Sequence, residues 1–153
     1  MPGNVMPAHI AAGEGRTARV FASELEISAD ASTGLSFGMF RSRFPEGAGM
    51  PFLHLHRSYE EAFHVLEGTV QFRLGDDEFH ATVGSTILVP PGTPHCFRNA
   101  GPGPVDWLAV TTPALAVDAI EEVSTIPRGD FDLLAELFER YDSELLERRP
   151  YWH

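Results

Sequence analysis

From Thr17 to Thr112 the chain is a succession of short runs rich in Val, Phe, Ile and Leu, each closed within a few residues by Gly, Pro or Asp. Runs of that kind form strands. Strands at even spacing, with no helical periodicity between them, close into a sandwich or barrel. Strands are expected near residues 17–28, 35–44, 51–56, 61–66, 69–74, 78–83, 86–89, 95–98 and 105–111. Gly75-Asp76-Asp77 reads as the hairpin turn between two of them.

The flanks read differently. Residues 1–16 are Pro, Gly and Ala rich without periodicity and form an expected N-terminal arm. The β pattern fills 17–112, and residues 113–153 form an expected helical extension. Thr112-Pro113 has the chemistry of a helix start, with Thr as cap and Pro in the first turn, for a helix over 113–122. Asp130 can cap a second helix. Its stripe of Leu133, Leu134, Leu137, Phe138, Tyr141 and Leu145 recurs at three- and four-residue spacing, with Arg148, Arg149 and Pro150 at its end.

The composition excludes some functions. Against 22 Asp+Glu stand 11 cations, every one an Arg, for a net charge of −11. Nucleic acid is a poor partner for such a chain, because neutralising phosphates dominates that affinity. No apolar run approaches the roughly 18 residues of a membrane span, so no membrane partner is expected. The single Cys96 cannot form an internal disulfide, and with no signal-peptide pattern at the start a cytoplasmic location is expected.

Four residues carry the candidate chemistry: His54, His56, Glu61 and His95. On a strand, residues i and i+2 share a face, so His54 and His56 point the same way, along with Met50 and Phe52. Glu61 opens the next strand and shares its face with Phe63 and Val65; Glu60 is the competing carboxylate. His95 follows the rigid Pro90-Pro91-Gly92-Thr93-Pro94 turn. Taken singly, each histidine also fits a surface or core position. Together, three imidazoles and one carboxylate suit a divalent transition metal with positions left open for substrate.

These segments resemble the two signature motifs of the cupin superfamily. His54-x-His56, four residues, Glu61, six residues and Gly68 match the first, whose leading glycine departs from the usual spacing, Gly49 standing one residue too close and Gly47 one too far. Gly84, Pro90, Gly92, His95 and Asn99 match the second, with fifteen residues between Gly68 and Gly84. The resemblance implies an all-β fold: an antiparallel jelly-roll barrel with the metal inside one end. Gly15-Arg16-Thr17, Phe44-Pro45-Glu46-Gly47, Glu61 to Gly68 and Thr112-Pro113-Ala114 also resemble single-domain bacterial cupins grouped with quercetin 2,3-dioxygenases. A homodimer formed by pairing or swapping N-terminal strands is a further implication.

Under that resemblance, His54, His56, Glu61 and His95 hold one ion of Fe, Mn, Ni, Co, Cu or Zn. The expected enzyme is a metal-dependent dioxygenase acting with O₂ on an aromatic, enol or polyketide-like small molecule, with Glu61 as catalytic base. A non-redox isomerase, cyclase, lyase or decarboxylase, or a binding protein without turnover, uses the same ligands. Strand parity places Met50, Phe52, Phe63, Val65 and Phe97 in the substrate pocket. Arg41 joins them as a group able to reach a substrate carboxylate or phenolate, with Arg43 on the same strand face. His64 and Cys96 are expected to face away from the ligands, and Tyr59 to stand at the mouth.

Overall fold

The computed structural model describes Val5 and residues 7–152. Residues 1–4 and 6 of the expected arm, and His153, lie outside the described residues. The strands are β1 (Arg16–Val20), β2 (Ser23–Ala29), β3 (Gly38–Phe44), β4 (Gly49–His56), β5 (Glu60–Glu67), β6 (Val70–Leu74), β7 (Asp77–Ala81), β8 (Thr86–Val89), β9 (His95–Asn99), β10 (Val105–Thr112) and β11 (Ser143–Leu145). Helices α1 (Leu115–Glu122) and α2 (Phe131–Arg140) lie between β10 and β11. One sheet runs β1-β2-β3-β10-β5-β8 and the other β11-β4-β9-β6-β7, with every pairing antiparallel. This is the jelly-roll barrel with C-terminal helices that the strand pattern and the motifs anticipated.

Alternation drives the closure. In β5, Glu61, Phe63 and Val65 are buried, whereas Glu60 and His64 are exposed. The two inner faces meet in an aromatic cluster, where Trp107 stacks on Phe63 at 4.4 Å and meets Phe97 edge-on at 4.5 Å. Pairs of this kind add about 0.5–1.5 kcal/mol beyond the area they bury. Gly68 ends β5 at φ 79°, and a Cβ there would stand 2.4 Å from the Pro104 carbonyl oxygen. Only glycine lets the two segments approach so closely.

Three expectations are corrected. The strand expected over 17–28 is a hairpin: Phe21 takes φ 51° and turns β1 back onto β2. Helix α1 is not capped by Thr112, which is still paired with Glu60 as the last residue of β10; it begins at Leu115 without a side-chain cap. Helix α2 is capped as expected, Asp130 accepting from the Leu133 amide, but it stops at Arg140. Asp142 takes φ 53°, and Ser143–Leu145 then pair with His56, Leu55 and His54 of β4. Leu145 is therefore a strand residue, and Arg148 and Arg149 do not end the helix. An unpaired sheet edge offers a row of open donors and acceptors, and here it outweighs continued helix. Beyond β11 the Leu146 and Tyr151 amides donate to the Leu53 and Pro51 carbonyls, so the chain end runs along β4.

No helix among the described residues is long and apolar enough to cross a membrane.

Candidate metal centre

His54 and His56 come from β4, Glu61 from β5 and His95 from the first position of β9. Register brings them together: His54 pairs directly with His95, and Glu61 lies inward on the facing sheet. One ring nitrogen from each of His54, His56 and His95 lies within 4.8 Å of the other two. Glu61 closes the group, with Oε1 3.6 Å from His56 Nε2 and Oε2 3.0 Å from His95 Nε2. Of the two competing carboxylates, Glu61 is buried and Glu60 is exposed.

Hydrogen-bond partners assign the tautomers. His54 Nδ1 lies 2.7 Å from the Phe52 carbonyl oxygen, and His95 Nδ1 lies 2.9 Å from that of Thr93. A carbonyl oxygen only accepts, so both Nδ1 atoms carry the proton. In the neutral imidazole each Nε2 then keeps its lone pair and turns it toward the common centre. Glu61 Oε2 is buried and makes no hydrogen bond, although His95 Nε2 is close. Two acceptors at that separation require a proton or a cation between them. The donor set of three nitrogens and one carboxylate oxygen fits a divalent transition metal, and Nδ1 bonds of this kind orient metal-binding imidazoles.

The electrostatics agree with a cation site. Burial holds the His54 imidazole well below its ordinary value, with help from the neighbouring His95 and His56. Burial also lowers His56, against the opposing pull of Glu61. For Glu61 burial acts upward, but the facing imidazoles of His56 and His95 outweigh it, and its carboxyl lies below the usual value. Burial thus favours neutral rings at His54 and His56, and the site favours an ionised carboxylate at Glu61.

These side chains line a cavity of about 100 Å³ that also meets Trp107 and Phe63. Met50, Phe63 and Phe97 line it, as parity implied. Three other expected pocket residues do not, and are corrected. Phe52 packs edge-on against Phe131 of α2 at 5.1 Å. Between the Met50–Phe97 and His54–His95 pairs, β4 has two more residues than β9; Met50 and His54 keep the same face, and Phe52 lies in the irregular stretch between them, free to turn toward α2. Val65 is fully buried in the core beside the cavity without lining it. Arg41 lies on the outer face of the barrel, where its guanidinium grips Asp106 through two hydrogen bonds of 2.8 and 2.6 Å. Arg43 is on that same outer face, bonded to Glu67.

The remaining expectations concern the surroundings. His64 faces outward and meets the Thr86 hydroxyl. Cys96 is fully buried, and burial pushes its thiol up to about 12. Tyr59 is more deeply placed than a mouth residue: it stacks on His56 at 5.2 Å, and burial pushes its phenol up to about 12. What the sequence reading missed is the roof. Ala116, Ile120, Leu137, Phe138 and Tyr141 of the C-terminal extension close the cavity, and the Ser143 hydroxyl lies 2.6 Å from His56 Nδ1. That contact spans 87 residues of chain, and no local pattern signals it.

Comparison with known proteins agrees with this architecture. The cupin domain family matches residues 40–111, a stretch that contains all four ligand candidates. A protein of Methanocaldococcus jannaschii without an assigned function, MJ1618, is 38% identical over 61 residues, which is 40% of this chain and 49% of the relative. The chain thus spans about half the length of the curated relative it matches. Among solved structures, KdgF from Halomonas sp. superposes with a TM-score of 0.61 at 16% identity, over 71% of this chain and 94% of its own. The polyketide cyclase RemF from Streptomyces resistomycificus gives 0.61 at 21%, over 70% and 80%. Ectoine synthase from P. lautus gives 0.59 at 14%, over 72% and 79%. At these identities the likeness is one of fold. Fold, motif and domain match converge on one segment: residues 40–111 are a cupin domain.

Proposed function

We propose that the chain is a metal-dependent dioxygenase acting on a small, mostly apolar molecule that presents an enol or a pair of adjacent oxygens. The observation that carries the reading is the convergence of three imidazole nitrogens and the unpaired Glu61 Oε2 in a cavity lined otherwise mostly by apolar side chains. His54, His56, His95 and Glu61 would hold the ion. A bound divalent metal supplies Lewis acidity that eases loss of the enol proton and, if redox-active, a route for electrons to O₂.

The chain's own residues set the rest. Among the described residues Glu61 is the one carboxylate lining the cavity, and when released from the ion it would take a proton from a substrate hydroxyl. Tyr59 stays neutral and presents a flat face to His56. A single base suits a reaction that begins with the loss of one proton and continues by addition of O₂. It serves less well a reaction that needs an acid and a base on opposite sides of the substrate. Among the described residues no arginine lines the cavity, and the chain has no lysine, so a phosphate or a second carboxylate on the substrate would find no side-chain counter-charge there.

Size narrows the class. A dry apolar cavity of about 150 Å³ takes up a single benzene ring, so a space of about 100 Å³ suits a small enediol or 1,3-diketone. A flavonol with its three rings needs α1 and α2 to move aside.

The test is oxygen uptake by protein loaded with Fe(II), Mn(II), Ni(II), Co(II) or Cu(II), on a panel of small 1,3-diketones, enediols and flavonols. Uptake on the small substrates that vanishes in His54→Ala and in metal-free protein supports the proposal. Substrate loss at the same rate under argon replaces it with a cyclase, isomerase, lyase or decarboxylase reaction, and binding without loss replaces it with a carrier.

A further inference from the structure

We propose that Ser143, outside both motifs and on the strand that the C-terminal extension adds to the barrel, is a positioning residue for the metal centre. It acts through a hydrogen-bond chain from His56 Nδ1–H to Ser143 Oγ and from Ser143 Oγ–H to the Tyr141 carbonyl. The inference rests on the metal-site reading and names the residue that orients one of its ligands.

Two of the three imidazoles are set by their own strands' surroundings. His54 and His95 each donate to a carbonyl two residues upstream, Phe52 and Thr93, so the segments carrying the motifs suffice for them. His56 has no such partner. Its Nδ1 lies 2.6 Å from Ser143 Oγ, and Ser143 is its direct cross-strand partner in the β4–β11 pair. A hydroxyl alone does not choose a tautomer, because it both donates and accepts. Here the choice is made: Ser143 Oγ lies 3.1 Å from the Tyr141 carbonyl oxygen, which takes its proton. The lone pair left on Oγ then accepts from His56 Nδ1, and His56 Nε2 is bare. Stacking on Tyr59 fixes the plane of the ring but does not distinguish its two nitrogens.

The chain is built to hold its position. Ser143 is 1% exposed, so bulk water does not compete for Oγ. Arg57, next to His56, donates from its backbone amide to the Asp142 carbonyl at 2.9 Å and from its guanidinium to the Ser143 carbonyl at 3.2 Å. The turn carrying Ser143 is thereby tied to the strand carrying His56. The cupin domain presets two of its imidazoles, and the docked extension presets the third. Partners of this kind typically change metal affinity roughly 10–100-fold when removed.

The test uses the full chain, metal-free and ¹⁵N-labelled, at a pH where the imidazoles are neutral. Long-range proton–nitrogen correlation reads the tautomer of each ring. Wild-type protein is expected to show His56 protonated at Nδ1, and Ser143→Ala a mixture of the two forms, with His54 and His95 unchanged. Co(II) affinity by chelator competition is expected to weaken roughly 10–100-fold in Ser143→Ala and to return toward wild type in Ser143→Thr, which keeps a hydroxyl. Wild-type His56 protonated at Nε2 overturns the proposal without any variant. So does a Ser143→Ala protein that keeps both the wild-type tautomer and the wild-type affinity. If wild-type protein takes up no Co(II), the metal reading fails, while the tautomer measurement still decides the hydrogen-bond chain.

Discussion

Glu61 Oε2 and His95 Nε2 face each other at 3.0 Å across the inside of the barrel, and the proton of the His95 ring is engaged on the opposite side by the Thr93 carbonyl. Such a pair is stable only with a positive charge between its members. A metal ion supplies that charge, so added Zn(II) or Co(II) is expected to stabilise the metal-free protein by about 2.7 kcal/mol at a hundred times the dissociation constant. Thermal unfolding with and without the ion measures this. Glu61→Gln is expected to lose at least half of the gain, and Glu60→Gln, altered at an exposed position, none of it. Equal losses in the two variants would assign the carboxylate wrongly.

The same nitrogens give the metal-free protein a pH-dependent stability. His54 in the folded chain lies well below the ordinary imidazole value of 6.5, chiefly through burial, and His56 lies below it as well. Between that value and the depressed ones the unfolded chain binds more protons, so stability rises with pH there and levels off above it. Glu61, held below 4.5, adds a second loss at pH values beneath its unfolded titration. The unfolding free energy from urea titration is therefore expected to stay flat from pH 7.5 to 8.5 and to fall steadily below about 6.5, by at most about 1.4 kcal/mol per pH unit for each histidine. His54→Asn should flatten that decline. A free energy that rises on acidification through this range contradicts the assignment.

Removing Arg41 should leave the metal centre untouched. Its guanidinium lies on the outer face of the barrel and holds Asp106, a carboxylate almost wholly buried. In Arg41→Ala, metal affinity is expected to match wild type. Stability should drop by about 1 kcal/mol, a modest figure because the arginine side chain is more than half exposed. Chelator competition together with urea unfolding separates the two effects. A tenfold loss of metal affinity would mean that Arg41 reaches the site after all.

Much of this was legible in the sequence. The strands of the barrel, the hairpin at Gly75 and the inward parity of Glu61 follow from period-two burial, which depends only on neighbouring residues. The four ligand candidates were legible because motif spacing records the strand register that brings them together. Phe52 was misplaced because a two-residue bulge in β4 is a property of the pairing with β9 and not of β4 itself. Arg41 was misplaced because its partner Asp106 stands 65 residues away, and only the pairing of β3 with β10 makes them neighbours. The extension reads as helix through Leu145 because its apolar spacing continues past Arg140. What ends α2 is the open edge of β4, again a partner distant in the chain.

Gly68 tests the geometry between the two motifs. It takes φ 79°, and a Cβ would meet the Pro104 carbonyl oxygen at 2.4 Å. Gly68→Ala therefore combines a left-handed backbone with a clash against main chain, which cannot rotate away. A loss of about 1–3 kcal/mol is expected from the strain alone. Gly75→Ala, also at positive φ but with nothing within 4 Å, should lose less. Urea unfolding of the two variants side by side measures the difference, and equal losses would show that the close approach to Pro104 carries no weight.

Phe138 decides how the centre is shielded. It is nearly buried on α2, with its ring centroid 5.5 Å from that of His54 and 6.3 Å from that of His56. The side chain thus serves two ends: it anchors the extension to the barrel and keeps water from the bare imidazole nitrogens. Truncation to Ala removes a buried aromatic ring, a change that typically costs about 3–5 kcal/mol. It also opens a path from solvent to the ligands. Phe138→Ala is expected to be less stable by that order and to release bound Co(II) to a chelator faster than wild type, while Phe138→Leu, which refills most of the space, should fall between them in both measurements. If stability falls while the release rate stays at the wild-type value, the extension is a structural brace and the ion leaves by another route. If release accelerates in step with the loss of packing, the roof formed by α2 controls access to the centre, and movement of that helix is how a substrate larger than a single ring would enter.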